Sequence, residues 1–323
     1  MADTTKNTML RSPTYGTEED TPTGPRGHTT APVDVSSFPN IDGAFEGSFA
    51  ATARDRPEAS PTPWYYRREY YTGGWTDRTI WRSLVVECVA TTCQIYIGGQ
   101  FGMTLMESGT TQITAYVGIF NTFLLATFIY ATATATGGHL NPMITFATVL
   151  CGLTPVSRGT FLMTAQITGG ILAGGLLLGT WGHDRAVSHL GGGNFFDPSI
   201  ISPGQVLLNE IMSCATLLVL AIGTGLDPRQ QILYGRQLGP LLVGLSVGVV
   251  SCASTRIAPG YTGASMNPAR AIALAIASSH WENQWVWWVG PALGSILVAL
   301  MYRLAPPSHF QGQAGSKAQL SVA

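Results

Sequence analysis

Charge is scarce in this chain. Charged residues make up 11% of its 323 positions, against about 25% in a typical soluble domain. Those present gather in the N-terminal stretch and between long apolar runs. The net charge of -1 offers no basic surface for nucleic acid. CxxC pairs and His/Cys metal spacings are also missing. The five cysteines, Cys88, Cys93, Cys151, Cys214 and Cys252, lie in or beside apolar runs and read as small core hydrophobes. No metal or other cofactor is therefore expected. No nucleophile–base pair or phosphate-binding loop appears, which argues against an enzyme. Large apolar groups are few in residues 1–63, which are rich in Thr, Ser, Pro and charge. That segment cannot offset its ordering entropy by burial and is expected to be a disordered tail. It has no continuous apolar core, so it is not a signal peptide.

What the chain does have is apolar length. Six segments, at about 80–103, 115–135, 159–181, 206–225, 238–253 and 284–304, are long enough to cross a bilayer as helices. The fifth is the shortest. Arginine placement orients them. Arg67, Arg68, Arg78 and Arg82 flank the first span, Arg158 lies between spans two and three, Arg229 and Arg236 lie between four and five, and Arg303 ends the sixth. The opposite loops carry Arg185 and Arg256 only, leaving aside Arg270. The positive-inside rule then places both termini in the cytoplasm.

Two Asn-Pro pairs sit in apolar surroundings, Asn141-Pro142-Met143 and Asn267-Pro268-Ala269. Each follows a Gly-containing run, Gly137-Gly138-His139-Leu140 and Tyr261-Thr262-Gly263-Ala264-Ser265-Met266, and precedes an apolar stretch too short to span. Asn suits a helix N-cap and Pro the first helical position. Each motif therefore reads as the start of a half-helix in a membrane protein, a hallmark of a transport site.

The chain also repeats. Glu87 precedes Asn141 by 54 residues, and Glu210 precedes Asn267 by 57. A Gly-rich span follows each motif. With three spans per half, the second half enters from the opposite face, giving an inverted repeat. The expected fold is an all-α membrane protein of six transmembrane helices plus two re-entrant half-helices, arranged as an inverted 3+3 repeat. The channel domain would cover 64–305, with repeats at about 79–181 and 205–305, followed by a cytoplasmic C-terminal tail at 306–323. Gly170 and Gly174, Gly175 and Gly179, Gly244 and Gly248, and Gly290 and Gly294 sit four apart, a spacing that lets helices approach closely.

At this point the sequence resembles the aquaporins, the major intrinsic protein family. The resemblance rests on the two motifs, on Arg270 directly after the second, on Gln166, Glu87 and Glu210, and on Trp288-Val289-Gly290-Pro291. It covers about 79–305. Met143 departs from the usual Ala of the first motif, and the stretch 255–261 is longer than usual. With the long polar N-terminal tail, these features resemble the uncategorised (X) intrinsic proteins of fungi and plants.

The resemblance implies a passive channel for water and small uncharged solutes such as glycerol-sized polyols, urea or hydrogen peroxide, excluding protons and ions. It also implies a homotetramer in the bilayer of the plasma membrane. Asn141 and Asn267 would present amide donors at the midplane, with Pro142, Met143, Pro268 and Ala269 shaping the half-helices. Arg270 would belong to a narrow selectivity filter. Ala264 joins it, together with Asn121 or Phe120 and with Ser251 or Cys252. None of Asn121, Ser251 and Ala264 is bulky, which points to a wide, partly polar filter. Against that, Ala271 follows Arg270 where glycerol channels typically carry Asp, and Trp287-Trp288 resembles the water-type ending. Glu87 and Glu210, alone, would suggest proton relay; the resemblance assigns them, with Gln166 and His139, to support of the unwound loops. His183 and His189 are expected to be solvated in the long loop 181–204.

Two other classes compete. An alternating-access secondary transporter shares inverted repeats and broken helices, and would saturate with solute where a channel stays near linear. A non-conducting adhesion or scaffold relative would keep the fold without the flux. Ser12-Pro13, Thr21-Pro22, Ser60-Pro61 and Thr62-Pro63 could accept phosphate and dock on the arginines near span one. The arginine distribution yields a direct test of topology. An epitope tag added after Ala323 should be labelled only after the cell is permeabilised; labelling of intact cells would contradict the orientation.

Overall fold

The unwound segments decide where the helices stop and start. In the computed structural model, residues 66, 68–78, 80–227 and 231–305 are described, side chains at 231–236 excepted. The tails at 1–63 and 306–323, with their Ser-Pro and Thr-Pro sites, lie outside the described residues, as do Arg67 and Arg229.

A short helix, α1 (Arg68–Thr72), leads into α2 (Ile80–Ser108) and α3 (Ile113–Thr136). Gly137, at φ 93°, ends α3 in the left-handed conformation that glycine adopts without strain. The half-helix α4 (Pro142–Leu150) follows, then α5 (Val156–Trp181) and a short α6 (His183–Ser188). The second half runs through α7 (Pro203–Ala221), a π-helical turn (Ile222–Leu226), α8 (Gln231–Ser254), the half-helix α9 (Pro268–Ser278) and α10 (Val286–Leu304). Among the described residues the only β-pairing is an isolated bridge between Phe196 and Tyr261.

Interchanging the halves reproduces the packing. The pair α2–α5 corresponds to α7–α10, α2–α3 to α7–α8, and α5–α9 to α10–α4, while α3 packs on α8 across the pseudo-twofold. This is the expected all-α fold of six long helices and two half-helices. Five of the long helices are apolar enough to cross a membrane. The sixth, α2, has the length, at 29 residues, but Arg82, Glu87, Gln94 and Gln100 lower its mean hydropathy. Large apolar side chains such as Val85, Val89, Ile119, Phe123, Leu241 and Leu245 are exposed, as lipid-facing surfaces require. The chain is an integral membrane protein.

The glycine pairs divide. A Cβ at Gly170 would lie 2.3 Å from the carbonyl oxygen of Ala269, and one at Gly174 would lie 2.6 Å from that of Ala273. Gly244, Gly248, Gly290 and Gly294 are equally tight against neighbouring helices. Gly175 and Gly179 do not pack on another helix of this chain as expected: an added Cβ at either meets nothing within 4 Å. They lie one position further round α5, on its exposed side. Gly170→Val should therefore destabilise by about 1–3 kcal/mol through overpacking, while Gly175→Val should be close to neutral. Thermal unfolding in detergent checks this, and equal midpoints for the two variants would contradict the packing.

Candidate functional site

Each half-helix begins where a buried glutamate holds the unwound chain. Leu140 and Met266, directly before the two asparagines, adopt left-handed φ values of 54° and 53°. That turn points their amides away from any helical partner. Glu87 accepts the Leu140 amide through Oε1. Glu210 accepts the Met266 amide at 2.5 Å through Oε1 and the Ser265 amide at 2.9 Å through Oε2. Both carboxyl groups are fully buried. Gln166 donates to Glu87 at 2.8 Å and exchanges hydrogen bonds with Thr145, whose hydroxyl also meets His139 Nδ1 at 3.1 Å. His139 is thus tethered to the half-helix whose entry it precedes.

Asn141 and Asn267 cap α4 and α9 in extended conformations, with Pro142 and Pro268 in the first turn. The Asn141 Oδ1 accepts the Met143 amide at 2.9 Å. The Asn267 Oδ1 accepts the amides of Ala269 and Arg270 at 3.0 and 3.2 Å. With each oxygen turned into its helix, each amide nitrogen faces the other way. The Asn141 Nδ2 donates one hydrogen to the Met266 carbonyl at 2.8 Å, so the first motif is tied to the second.

A cavity of about 190 Å³ runs past both asparagines. Arg270, Ala264, Asn121, Ser251 and His139 line it as well. Of the alternatives, Phe120 and Cys252 are absent from the lining. Phe120 stacks on Phe101 at 3.8 Å between ring centroids. Asn121 Nδ2 donates to Ser251 Oγ at 3.0 Å, joining α3 to α8 at the cavity wall. Pro142, Met143, Pro268, Ala269, Glu87, Glu210 and Gln166 stand behind the lining: all are buried and none is part of it.

Several neighbours of Arg270 were not visible from the sequence. Asn194 Oδ1 accepts from Arg270 Nη1, and Asn194 Nδ2 donates to Ser265 Oγ at 2.7 Å. Asn194 holds a left-handed φ of 56° and is buried. Gly193 is packed against the same guanidinium: a Cβ there would meet Nη2 at 2.8 Å. The loop that brings them is pinned to the long stretch before the second motif. Thr262 donates its amide to the Phe195 carbonyl at 3.0 Å, its hydroxyl accepts the Phe195 amide at 3.0 Å, and the Asp197 backbone amide donates to the Gly260 carbonyl at 2.8 Å. The amide and hydroxyl of Ser199 hold the Asp197 carboxyl below its ordinary range. Composition gives no hint of these contacts, because they join segments some 70 residues apart. His189 also departs from the expectation of a solvated side chain. Its Nδ1 lies 2.9 Å from Ser188 Oγ and its Nε2 3.8 Å from Glu107, which also pairs with Arg185. His183 is exposed, as expected.

Two broken helices meeting beside a cavity in an inverted repeat are the architecture of a membrane transport protein. The sequence model of the major intrinsic proteins matches residues 74–302, and the chain belongs to that family. It is similar to aquaporin TIP4-1 of Zea mays, 33% identical over 228 residues that cover 68% of this chain and 84% of that one. It is similar to the probable aquaporin PIP-type 7a of Pisum sativum, 30% identical over 79% of this chain and 89% of that one. Its fold matches the X-ray structure of the aquaglyceroporin from Plasmodium falciparum with a TM-score of 0.57 at 18% identity, covering 69% of this chain and 95% of that one. The chain is a passive transmembrane channel for water and small uncharged solutes, and not an enzyme.

The glutamate clamp can be tested by itself. In Glu210→Gln one of the two carboxylate oxygens becomes an NH2 group facing a backbone N–H. Leaving that donor unsatisfied should cost about 1–3 kcal/mol, read as a lower unfolding midpoint in detergent. An unchanged midpoint would show that the carboxylate does not hold the loop.

Proposed function

We propose that the cavity conducts water together with uncharged solutes up to the size of glycerol, and that Asn121, Ser251, Ala264 and Arg270 form its filter. The supporting observation is that these four side chains line one cavity, and none is aromatic. Ala264 adds a single methyl where a ring would block the path. Asn121 and Ser251 together keep polar atoms for a hydroxyl or an amide to meet. Arg270 supplies fixed donors and a positive charge, which attracts acceptor oxygens and repels cations.

Ion exclusion would follow from the two half-helices. Their N-termini carry partial positive charge, and the second Nδ2 hydrogen of Asn141 and the amide nitrogen of Asn267 would face the path. A water at the midplane would turn its oxygen toward them and its hydrogens outward on both sides, interrupting the hydrogen-bonded file along which a proton would move. Backbone carbonyls in 137–140 and 263–266 would serve as acceptors leading to and from that point; irregular backbone is tolerated at this depth where it lines a wet cavity. The half-helix residues Pro142, Met143, Pro268 and Ala269, and the supporting Glu87, Glu210, Gln166 and His139, would act by shape and anchoring alone.

The same proposal includes a homotetramer and residence in the plasma membrane with both termini cytoplasmic. Family membership supports the first and the arginine distribution supports the orientation. A fluorescent fusion marking the plasma membrane rather than the vacuolar membrane tests the location. The expected channel domain at 64–305 with flanking tails is likewise proposed, supported by the helices that fill 80–304.

Filter width has a direct test. Ala264→Phe places a ring in the path beside Arg270. In proteoliposomes it should reduce glycerol permeability by about tenfold or more, the size expected of a steric term of 1.4 kcal/mol, and water permeability by less. Equal losses, or none, would remove Ala264 from the filter.

A further inference from the structure

One polar side chain of the cavity wall has no part in the site above. Gln94 lies on α2 and lines the cavity. Its neighbours on that wall, Ile95, Gly98, Phe101, Gly102 and Leu105, offer no hydrogen-bonding side chain. The contacts of α2 fix its level. Glu87 holds Leu140 at the first motif. Ile95 packs with Ala269 and Ala273 in the opening turns of α9. Phe101 stacks on Phe120, the residue beside Asn121. Gln94 is seven residues from both Glu87 and Phe101, or about 10 Å along the helix in each direction. It therefore stands between the paired asparagines and the filter.

The side chain is also unpartnered. Its Oε1 is buried without a hydrogen bond among the described residues, and no hydrogen bond ties its nitrogen to any of them. Buried amides are ordinarily satisfied, and a glutamine brings two donors and a two-fold acceptor. A half-turn about the last side-chain bond exchanges oxygen and nitrogen, so Gln94 can offer the cavity either one. An apolar wall would suffice for water, which the asparagine amides and the loop carbonyls already serve. A polyol is longer and carries a hydroxyl on each carbon. Between the filter and the midplane it needs a group that both donates and accepts.

We propose that Gln94 is a specificity-determining residue of the channel: it hydrogen-bonds a hydroxyl of a small polyol after the filter and before the asparagines, and so favours passage of polyols of glycerol size. This rests on the reading of the cavity as the conducting path.

The test measures glycerol and water permeability in proteoliposomes for the native chain, Gln94→Met and Gln94→Ala. Met keeps the length and loses the amide; Ala loses both. The glycerol-to-water ratio should fall about threefold to tenfold in both variants, the effect of one lost hydrogen bond. If Gln94 only fills space, Gln94→Met keeps the native ratio and Gln94→Ala raises it, and the proposal is overturned. Equal proportional loss of both fluxes in Gln94→Met overturns it too, as a packing defect. A native chain that carries water and no glycerol removes the role of Gln94 and leaves the channel standing. A native chain no more permeable to either than empty liposomes sinks both.

Discussion

The structure depends on satisfying a few backbone N–H groups in the middle of a membrane. Breaking a helix at bilayer depth leaves amides without partners, and hydrocarbon supplies none. Glu87 and Glu210 meet that demand. Each carboxylate reaches from a spanning helix to the left-handed residue before an asparagine. A buried carboxyl group is costly to leave unpaired: Glu210 binds the loop through both oxygens, while Glu87 takes Leu140 and Gln166 on Oε1 and its Oε2 has no partner among the described residues. Once the loops are held, Asn141 and Asn267 can cap their half-helices with Oδ1, and the Asn141 Nδ2 ties the first motif to the Met266 carbonyl. The glycines of α5 then let the half-helix α9 sit close, Gly170 against Ala269 and Gly174 against Ala273, while Gly290 of α10 makes room for the Glu210 side chain of α7.

The halves are related but not equivalent. The first is closed by side chains from its own repeat: Gln166, Thr145 and His139 form a chain from Glu87 to the half-helix. The second draws on the connecting loop, where Asn194 bridges Arg270 and Ser265. The proposed role of Arg270 in excluding cations is compatible with this partner, because a neutral asparagine adds no counter-charge. The long stretch before the second motif has a structural use here, since Thr262 and Gly260 pin the loop that presents Asn194.

Much of this was legible in the sequence because membrane depth enforces strong patterns. Hydropathy locates the spans to within about four residues, except that α2 runs on to Ser108 and α8 begins already at Gln231, and Asn-Pro fixes the half-helix starts at Pro142 and Pro268. The pairing of each glutamate with a motif shows in the near-equal spacings. What was not legible depends on helix phase and on distant contacts. Four-residue glycine spacing cannot say which side of α5 meets another helix, so Gly170 and Gly175 look alike in sequence and differ in the fold. Asn194 is one Asn among glycines until folding sets it beside Arg270, 76 residues away. Gln94 looks like a polar blemish in an apolar span until its unpartnered amide is seen in the cavity wall.

The central claim is that the two capped asparagines shape a path for neutral molecules that breaks the proton file. The most direct measurement follows water and protons together in one preparation of proteoliposomes holding the native chain. Shrinkage after an osmotic step reports water, and an entrapped pH dye reports protons under an imposed gradient. The account predicts shrinkage well above that of empty liposomes, linear in the osmotic step, with a pH gradient that decays no faster than in empty liposomes. Fast water flux with an equally accelerated collapse of the gradient, or flux that saturates as a carrier's does, would contradict it.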